Sequence, residues 1–175
     1  MSTYGSDLLL REVRVEKLIY NINNDFDSLD NIEKIDISII PTPKISREHK
    51  EHGMLELEVT LFDEDYVEKN NPLFLKMKIV GIFEDTKNDS DKDVFDKYLP
   101  NAISMLYSYA RAQIASLTGM FGIDVIQIPT VNILKLLDDL AMFLFKNRDD
   151  LSFLKGNRIC VNVGEKGLDF RFKTE

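Results

Sequence analysis

The chain has few of the residues that build disulfides, metal sites and nucleophilic centres. Cys160 is the only cysteine among its 175 residues. A single cysteine excludes a disulfide within the chain and favours a reducing compartment, which we expect to be the cytoplasm. Cys160 lies in an alternating strand pattern, where cysteine usually behaves as a small buried hydrophobic residue rather than as a nucleophile.

The two histidines offer the one arrangement that suggests a metal site. His49 and His52 lie three residues apart in the stretch REHKEHG, with Glu48 and Glu51 beside them. On a helix, this spacing would place both imidazoles on one face, as a zinc site needs. Because no further histidine or cysteine is close in sequence, we interpret the stretch as a solvated, charged loop and expect neither a metal nor another cofactor.

Motifs that carry catalysis are also missing from the sequence. It contains no Gly-x-Ser-x-Gly elbow, and its GEKG stretch has neither the length nor the Lys-Ser/Thr pair of a phosphate-binding loop. Its 30 acidic residues form carboxylate pairs by chance, so such pairs do not indicate a glycosidase. We therefore expect a protein that is not an enzyme.

Positive charge is scarce relative to negative charge. The formal net charge is −8, and such a surface repels phosphate backbones, so we expect no nucleic-acid partner. The N-terminus has neither the basic region nor the apolar core of a signal peptide. Residues 99–123 have the length of a membrane span, but Arg111 and several polar residues exclude one.

Four segments with a period of two predict half-buried strands. Three of them are regular, at residues 35–39, 55–61 and 73–80. The first begins at Val13 and changes phase near Lys17, which predicts a β-bulge. Because the connections are too short for a crossover helix, we expect the strands to be antiparallel neighbours.

Charge suggests a register for the third and fourth strands. Pairing Leu61 with Leu73 places Glu58 opposite Lys76, and it also places Glu56 opposite Lys78. Opposite charges that face each other on the solvated side stabilise a sheet modestly.

A helical period follows, in a helix predicted to open at Pro100-Asn101 and to end near Thr118. One apolar stripe holds five residues at spacings of three and four: Ile103, Leu106, Ala110, Ile114 and Leu117. A second stripe holds Ala102, Met105, Tyr109 and Ala112. A helix that covers a single sheet needs one stripe, so the second packs either on another segment of the chain or on another subunit.

The C-terminal part combines a second helix with a hairpin pattern. Gly119 and Gly122 end the first helix, and Asn132 is a suitable N-cap for a second helix that extends to about Lys146. Alternation in residues 159–163 and 168–172 predicts a β-hairpin. The predicted fold is therefore α+β, a four-stranded antiparallel sheet packed by two helices, with residues 1–148 as one domain and 149–175 as an extension.

Aromatic and branched residues exceed the needs of a small sheet. Phe83, Tyr98 and Phe121, together with the apolar run at 123–128, could line a cleft that accepts an extended peptide. They could equally complete the core or a subunit interface, and periodicity alone favours this second interpretation.

Three motifs give the chain a resemblance to a known family. LPNAISMLYSYARAQIASL at 99–117, IPTVNI at 128–133 and GIF at 81–83 resemble the corresponding segments of the SecB family of bacterial export chaperones. The order of four strands followed by two helices matches as well. The motifs cover roughly residues 73–144, and the strand order extends the resemblance back to about Leu8.

The resemblance implies an ATP-independent holdase that keeps unfolded polypeptides in apolar grooves and assembles as a homotetramer, a dimer of dimers. The second stripe, with Ala102, Met105, Tyr109 and Ala112, would then pack between subunits. The polypeptide-binding residues that the resemblance implies are Phe83, Tyr98, Ile123, Val125, Ile126, Ile128 and Phe143.

Several positions depart from the family pattern. Family members carry acidic residues on the outer sheet, where the translocation motor SecA docks, but Lys76 stands at one such position and Leu18 and Ile22 stand near others. These departures favour a chaperone for a dedicated client, such as a labile antitoxin, over one for general protein export and protein transport. The alternative is a non-chaperone adaptor that uses the same fold to bind one folded partner.

Overall fold

The described residues form one antiparallel sheet and one long helix. The computed structural model describes residues 7–26, 35–46, 48–87, 91–121, 125–135 and 137, and the backbone of 158–164 and 167–173. The elements are β1 (Leu8–Ile22), β2 (Ile35–Ile45), β3 (His52–Leu61), β4 (Leu73–Asp85), α1 (Val94–Met120), β5 (Arg158–Gly164) and β6 (Gly167–Lys173). The strands are ordered β1-β4-β3-β2-β5-β6, and α1 packs mainly against β3 and β4.

The core lies between α1 and the inner face of the sheet, where the alternating residues of the central strands point. These residues are almost completely buried: Leu55, Leu57, Val59, Leu61, Leu73, Leu75, Met77 and Ile79. The predicted helix stripe meets them with Ile103, Leu106, Ala110 and Ile114, all fully buried. Each large side chain contributes about 1.5–3 kcal/mol by leaving water. The predicted α+β class and the central four-stranded antiparallel sheet are confirmed.

The register of β3 and β4 differs from the predicted one by two residues. Leu61 lies opposite Leu75 instead of Leu73, so the predicted opposite pairing of Glu58 with Lys76 is wrong. The two charges nevertheless meet diagonally, with 2.9 Å between Lys76 Nζ and Glu58 Oε1. A shift of two residues leaves every side chain on its original face, so hydrophobic alternation could not distinguish the two registers.

The position of β1 also departs from the expectation that the strands pair in chain order. β1 pairs with β4 along its whole length, from Leu8 opposite Asp85 to Ile22 opposite Leu73. The expected pairings of β2 with β3 and of β3 with β4 are present. The expected pairing of β1 with β2 is wrong. Three strand spacings amount to only about 15 Å, so the chain between β1 and β2 is long enough to reach the far side of β3.

Two β-bulges bend β1. The pairing with β4 shifts between Val15 and Lys17, which confirms the bulge predicted near Lys17. A further shift, which the hydrophobic pattern does not predict, lies between Leu10 and Glu12. Bulges increase local twist and re-aim the side chains that follow them.

Helix α1 begins six residues before the predicted start. Asp93 is its N-cap, and the Asp93 carboxylate accepts hydrogen bonds from the N–H groups of Phe95 and Asp96, at 2.9 and 2.8 Å. Pro100 therefore lies inside the helix, where it cannot donate the hydrogen bond that residue 96 would accept. The cap and the burial of Val94 and Phe95 against the sheet outweigh that loss.

The C-terminal elements partly match the predictions. Asn132 caps a helical turn at residues 133–135, since the Lys135 N–H donates to Asn132 Oδ1 at 3.1 Å. Leu137 is also helical, whereas residue 136, residues 138–146 of the predicted second helix and Gly122 lie outside the described residues. The predicted hairpin is confirmed as β5 and β6, with Gly164 opposite Gly167. Its pairing with β2 extends the central sheet, which the sequence did not indicate.

Among the helical residues that the structure describes, no stretch combines the length and the apolar character needed to span a membrane.

The close approach of α1 to β3 leads to a first prediction. A Cβ added to Gly53 would lie 2.5 Å from Phe95 Cε2 and 2.7 Å from Val94 Cγ1. We expect Gly53→Ala to lower the free energy of unfolding by about 1–3 kcal/mol, because the first turn of α1 must shift. Equilibrium urea unfolding measures the change.

Gly119→Ala is the matched control. Its added Cβ would meet only Val125 Cγ2, at 3.2 Å, and the Val125 side chain is exposed and able to rotate. We expect no loss of stability there, because alanine is favoured over glycine within a helix by about 0.5–1 kcal/mol. A Gly53→Ala protein as stable as the wild type would contradict the packing described here.

Candidate functional site

Side chains of α1 fix the backbone of the segment that follows the helix. Three hydrogen bonds join them: Tyr107 OH to the Pro129 carbonyl at 2.9 Å, Arg111 Nε to the Ile128 carbonyl at 2.9 Å, and the Ile126 N–H to Thr118 Oγ1 at 3.0 Å. The segment 125–128 alternates, so Ile126 and Ile128 are buried whereas Val125 and Gln127 are exposed. The helix thereby presents Val125 to solvent in a defined position.

Burial raises the pKa of the Tyr107 hydroxyl. Loss of hydration raises the pKa of Tyr107 to about 12, although the nearby Arg111 guanidinium acts in the opposite direction. Arg111 belongs to the Tyr-Ala-Arg motif noted in the sequence, in which Ala110 is fully buried and Tyr109 is exposed. The motif therefore combines a core contact, a backbone clamp and a surface residue within one helical turn.

An exposed apolar surface runs from the inner face of β1 to the end of α1. We call it the apolar surface, and its residues are Val15, Leu18, Met120, Phe121 and Val125, each more than 40% exposed.

Two contacts connect the apolar surface across the two elements. The Tyr20 ring, on the same face of β1 as Leu18, stacks on Phe121 with ring centroids 5.0 Å apart. Gly119 has no side chain, so Val125 approaches the last turn of α1 closely. The apolar surface is therefore continuous from β1 to the segment after the helix. Monomeric soluble proteins seldom leave such a patch exposed without a functional reason.

The second helix stripe is covered only at its N-terminal end. Ala102 is fully buried and Met105 is partly buried, whereas Tyr109 is 44% exposed and Ala112 is exposed as well. Within the described part of the chain, no segment covers the last two residues. Met105 also borders an open cleft of about 490 Å³, lined by Leu8, Pro100, Asn101, Ser104, Val131, Asn132, Ile133 and Leu134.

The structure separates the predicted polypeptide-binding residues into two layers. Val125 lies on the apolar surface, and Tyr98 is partly buried. Phe83, Ile126 and Ile128 are buried beneath, and the Phe83 ring packs edge to face against Phe95 at 6.1 Å. Ile123 and Phe143 lie outside the described residues. A direct role of any of the seven in binding polypeptide stays a prediction.

Sequence reasoning did not assign Val15, Leu18 or Met120 to the site. The phase change in β1 hid the first two, since Val15 and Leu18 share a face only because of the bulge between them. Met120 follows a glycine, which the pattern placed at the end of the helix rather than in its last turn. The exposed end of a helix has no periodic indicator in a sequence.

Charged side chains on the outer face of the sheet pair with one another across four strands. The ion pairs are Glu16–Lys78 at 2.8 Å, Lys78–Glu56 at 3.0 Å, Lys44–Glu56, and Lys76–Glu58 at 2.9 Å. Hydrogen bonds from Lys44 and Lys78 hold the pKa of Glu56 below its usual value. Glu56 and Lys78, predicted to lie directly opposite each other, meet diagonally. Lys76, at a position where the SecB family is acidic, is thus neutralised within the sheet.

The histidines lie at the turn into β3. His49 Nδ1 is 3.1 Å from Glu51 Oε1, and the His49 and His52 rings meet edge to face at 5.8 Å. Both side chains are largely exposed. Within the described ranges, no three carboxylate, imidazole or thiol side chains converge to hold a metal ion.

Comparison with known proteins identifies the fold. No family model matches the chain, and no curated protein resembles it in sequence. Its fold, an antiparallel sheet packed by a long helix, is similar to that of a solved SecB-like chaperone. One similar solved structure is the Mycobacterium tuberculosis Rv1957 SecB-like chaperone in complex with a ChAD peptide from the Rv1956 HigA1 antitoxin.

The similarity to Rv1957 covers most of both chains. It spans 71% of this chain and 87% of the Rv1957 chain, with a TM-score of 0.54 and 12% sequence identity. At this identity the comparison shows the fold, and it confirms the SecB-like resemblance that the motifs implied.

The hydrogen bond between Tyr107 and Pro129 leads to a second prediction. We expect Tyr107→Phe to lower the free energy of unfolding by about 1 kcal/mol at neutral pH, because the Pro129 carbonyl loses its donor. Tyrosine ionises near pH 10 in the unfolded chain and at about 12 in the folded chain. Wild-type stability should therefore fall as the pH rises through this window, since only the unfolded state releases the proton.

Between neutral pH and about pH 11.5, the free energy of unfolding should fall less for Tyr107→Phe than for the wild type. The difference in free energy of unfolding between the two proteins should therefore narrow. Urea unfolding at several pH values measures it. Tyr20, whose pKa burial also raises, leaves a pH dependence common to both proteins. A gap that stays constant across the pH range would contradict the burial of the Tyr107 hydroxyl.

Proposed function

We propose that the chain is an ATP-independent molecular chaperone, a holdase that binds unfolded or non-native polypeptides. The observation that supports this function is the continuous apolar surface on a SecB-like fold. Burial of apolar area is favourable by about 25 cal/mol per Å² and does not depend on the order of residues in the client. A surface of this kind therefore suits segments that are exposed only when a client is unfolded.

The chemistry of the surface defines the preferred client segment. Phe121 and Tyr20 offer an aromatic contact, and Val15, Leu18 and Val125 offer aliphatic contacts, so extended segments rich in apolar residues fit. The net charge of −8 favours the association of clients that carry positive charge beside those segments. No step of this binding requires a nucleotide or a catalytic group, and we propose no enzymatic activity.

A dedicated client fits the structure better than general export. The structural neighbour Rv1957 is in complex with a peptide from an antitoxin. Around Lys76, the described outer-face glutamates Glu56 and Glu58 are paired with lysines across the strands. We propose that this protein acts in the cytoplasm on one client class, such as a labile antitoxin, and does not deliver clients to SecA.

The exposed part of the second stripe supports a quaternary proposal. Tyr109 and Ala112 lie on α1 without cover from the described residues. We propose a homotetramer, a dimer of dimers, in which these residues pack between subunits.

Aggregation assays test the holdase proposal with two matched variants. Val125 and Val67 are 52% and 51% exposed, but Val67 lies in the loop between β3 and β4, outside the apolar surface. We expect Val125→Asp to weaken suppression of the aggregation of a denatured protein by about fivefold or more, because a charge must be desolvated on binding. Val67→Asp should behave as the wild type, without added nucleotide.

Three outcomes would count against the proposal. A wild-type protein with no effect at an equimolar ratio would remove the holdase function. Saturable binding of one folded protein, together with indifference to unfolded chains, would favour the adaptor. Equal loss of activity in both aspartate variants would point to nonspecific charge effects instead of the apolar surface.

Light scattering after size exclusion tests the assembly. Four chains of 20.2 kDa give a tetramer of about 81 kDa, 4 × 20.2. We expect Ala112→Asp to yield smaller species, because the charge would enter a subunit interface. Ser104→Asp, an exposed position on another side of α1, is the control. A wild-type monomer would overturn the tetramer, and a mass increase on addition of SecA would overturn the exclusion of SecA.

A further inference from the structure

The outer edge of β2 does not offer backbone hydrogen-bonding groups equally along its length. The Phe62 N–H donates to the Asp36 carbonyl at 2.9 Å, and the Ser46 N–H donates to the His52 carbonyl at 3.3 Å. Backbone groups of neighbouring residues in an antiparallel pair point in opposite directions. The even-numbered residues of β2 therefore direct their N–H and C=O groups toward β3, and the odd-numbered residues direct theirs toward the outer edge.

Two prolines divide this edge into unequal parts. Pro41 and Pro43 are odd-numbered, so neither offers an N–H group where an added strand would need a donor. Ile35, Ile37 and Ile39 do offer N–H groups on that side. The stretch 35–39 is therefore the part of β2 that can accept a further strand, and the prolines block the part beyond it.

The C-terminal hairpin occupies the pairing-competent stretch. Val163 lies opposite Ile35 and Val161 lies opposite Ile37, and the pairing ends with Cys160 opposite Ser38, although β2 continues to Ile45. This contact comprises four residue pairs, against nine between β2 and β3. It is the shortest pairing of adjacent strands in the described sheet, and so it is the one that competition displaces most readily.

We propose that residues 35–39 form a strand-pairing site for an extended client segment, and that the β5–β6 hairpin is its resident occupant. This rests on the proposed function for the identity of the client. Main-chain hydrogen bonds supply affinity for many sequences, and alternate side chains supply selectivity. The hairpin itself defines the segment that fits, which is antiparallel, with apolar residues opposite Ile35 and Ile37 and with no proline at those positions.

A disulfide can lock the occupant in place. Ser38 of β2 lies directly opposite Cys160 of β5, and the pair is of the type without hydrogen bonds between its two residues. In such pairs the Cα atoms lie about 4.5 Å apart, which is within reach of a disulfide. The Ser38 hydroxyl is buried and has no hydrogen-bond partner in the described structure, so Ser38→Cys removes no contact. Cys160 is the only native cysteine, so one intrachain bond can form.

The experiment compares full-length Ser38→Cys in its oxidised and reduced forms. The probe is a fluorescent peptide with the β5 sequence, residues 158–164, with serine in place of Cys160. We expect the oxidised protein to bind the probe at least about tenfold more weakly. The disulfide keeps the hairpin on β2 and so removes the state in which residues 35–39 are free. The reduced protein and the wild type under both conditions should bind alike.

Val161→Pro supplies the opposite perturbation in the full-length chain. Val161 is paired with Ile37, so its N–H points at β2, and proline removes that donor. We expect the probe to bind this variant several-fold more tightly than it binds the wild type, since the occupant is weakened. Hydrogen exchange of the Ile37 amide should rise in the same variant and fall in the oxidised Ser38→Cys protein.

Two outcomes would overturn the strand-pairing proposal. Equal probe affinity in the oxidised and reduced forms would show that the hairpin and the probe do not share a site. Failure of the disulfide to form, or formation only between chains, would contradict the register of β5 on β2. Because probe binding is measured without a denatured client, a failed holdase assay with a working lock would remove the proposed function and leave the strand-pairing site.

Discussion

The structure depends on the contact between α1 and two glycines of the sheet. Gly53 and Gly81 have no side chains, so Val94, Phe95 and Leu106 rest directly on the strands; a Cβ on Gly81 would lie 2.7 Å from Leu106 Cδ2. This close approach sets the position of the helix. The helix then fixes the segment that follows it through Tyr107, Arg111 and Thr118, and that segment completes the apolar surface. A packing constraint at one end of α1 thereby determines what is exposed at the other.

The two faces of the sheet solve different problems. Helix α1 covers most of the inner face but leaves Val15 and Leu18 of β1 exposed. On the outer face, lysines and glutamates of the described residues pair across the strands, at individual contributions of about 0–1 kcal/mol. The residues Val15 and Leu18 of the apolar surface and these ion pairs therefore lie on opposite faces of the sheet.

Hydrophobic periodicity and charge predicted the central strands and the helix but not the full order and register of the sheet. Alternation located β3, β4 and the main stripe of α1, because a buried face repeats every two or 3.6 residues. It could not choose between the Leu61–Leu73 and Leu61–Leu75 registers, which bury the same residues, nor place β1 beside β4. For the site, Val125 was predicted and is exposed, but periodicity does not separate a surface layer from the layer beneath, so Phe83 and Ile128 were grouped with it. The docking of the hairpin on β2 depends on backbone groups that no side-chain pattern reports.

Pro41 and Pro43 also bear on the solubility of the molecule itself. A sheet with a long run of outward-facing donors can grow by adding strands from other molecules, which is how fibrils are seeded. The two prolines end that run after Ile39. An incoming strand can therefore pair with only a short stretch of β2 and cannot extend the hydrogen-bond ladder. For the proposed holdase function, this interruption limits the growth of aggregated client chains on the sheet of the protein itself.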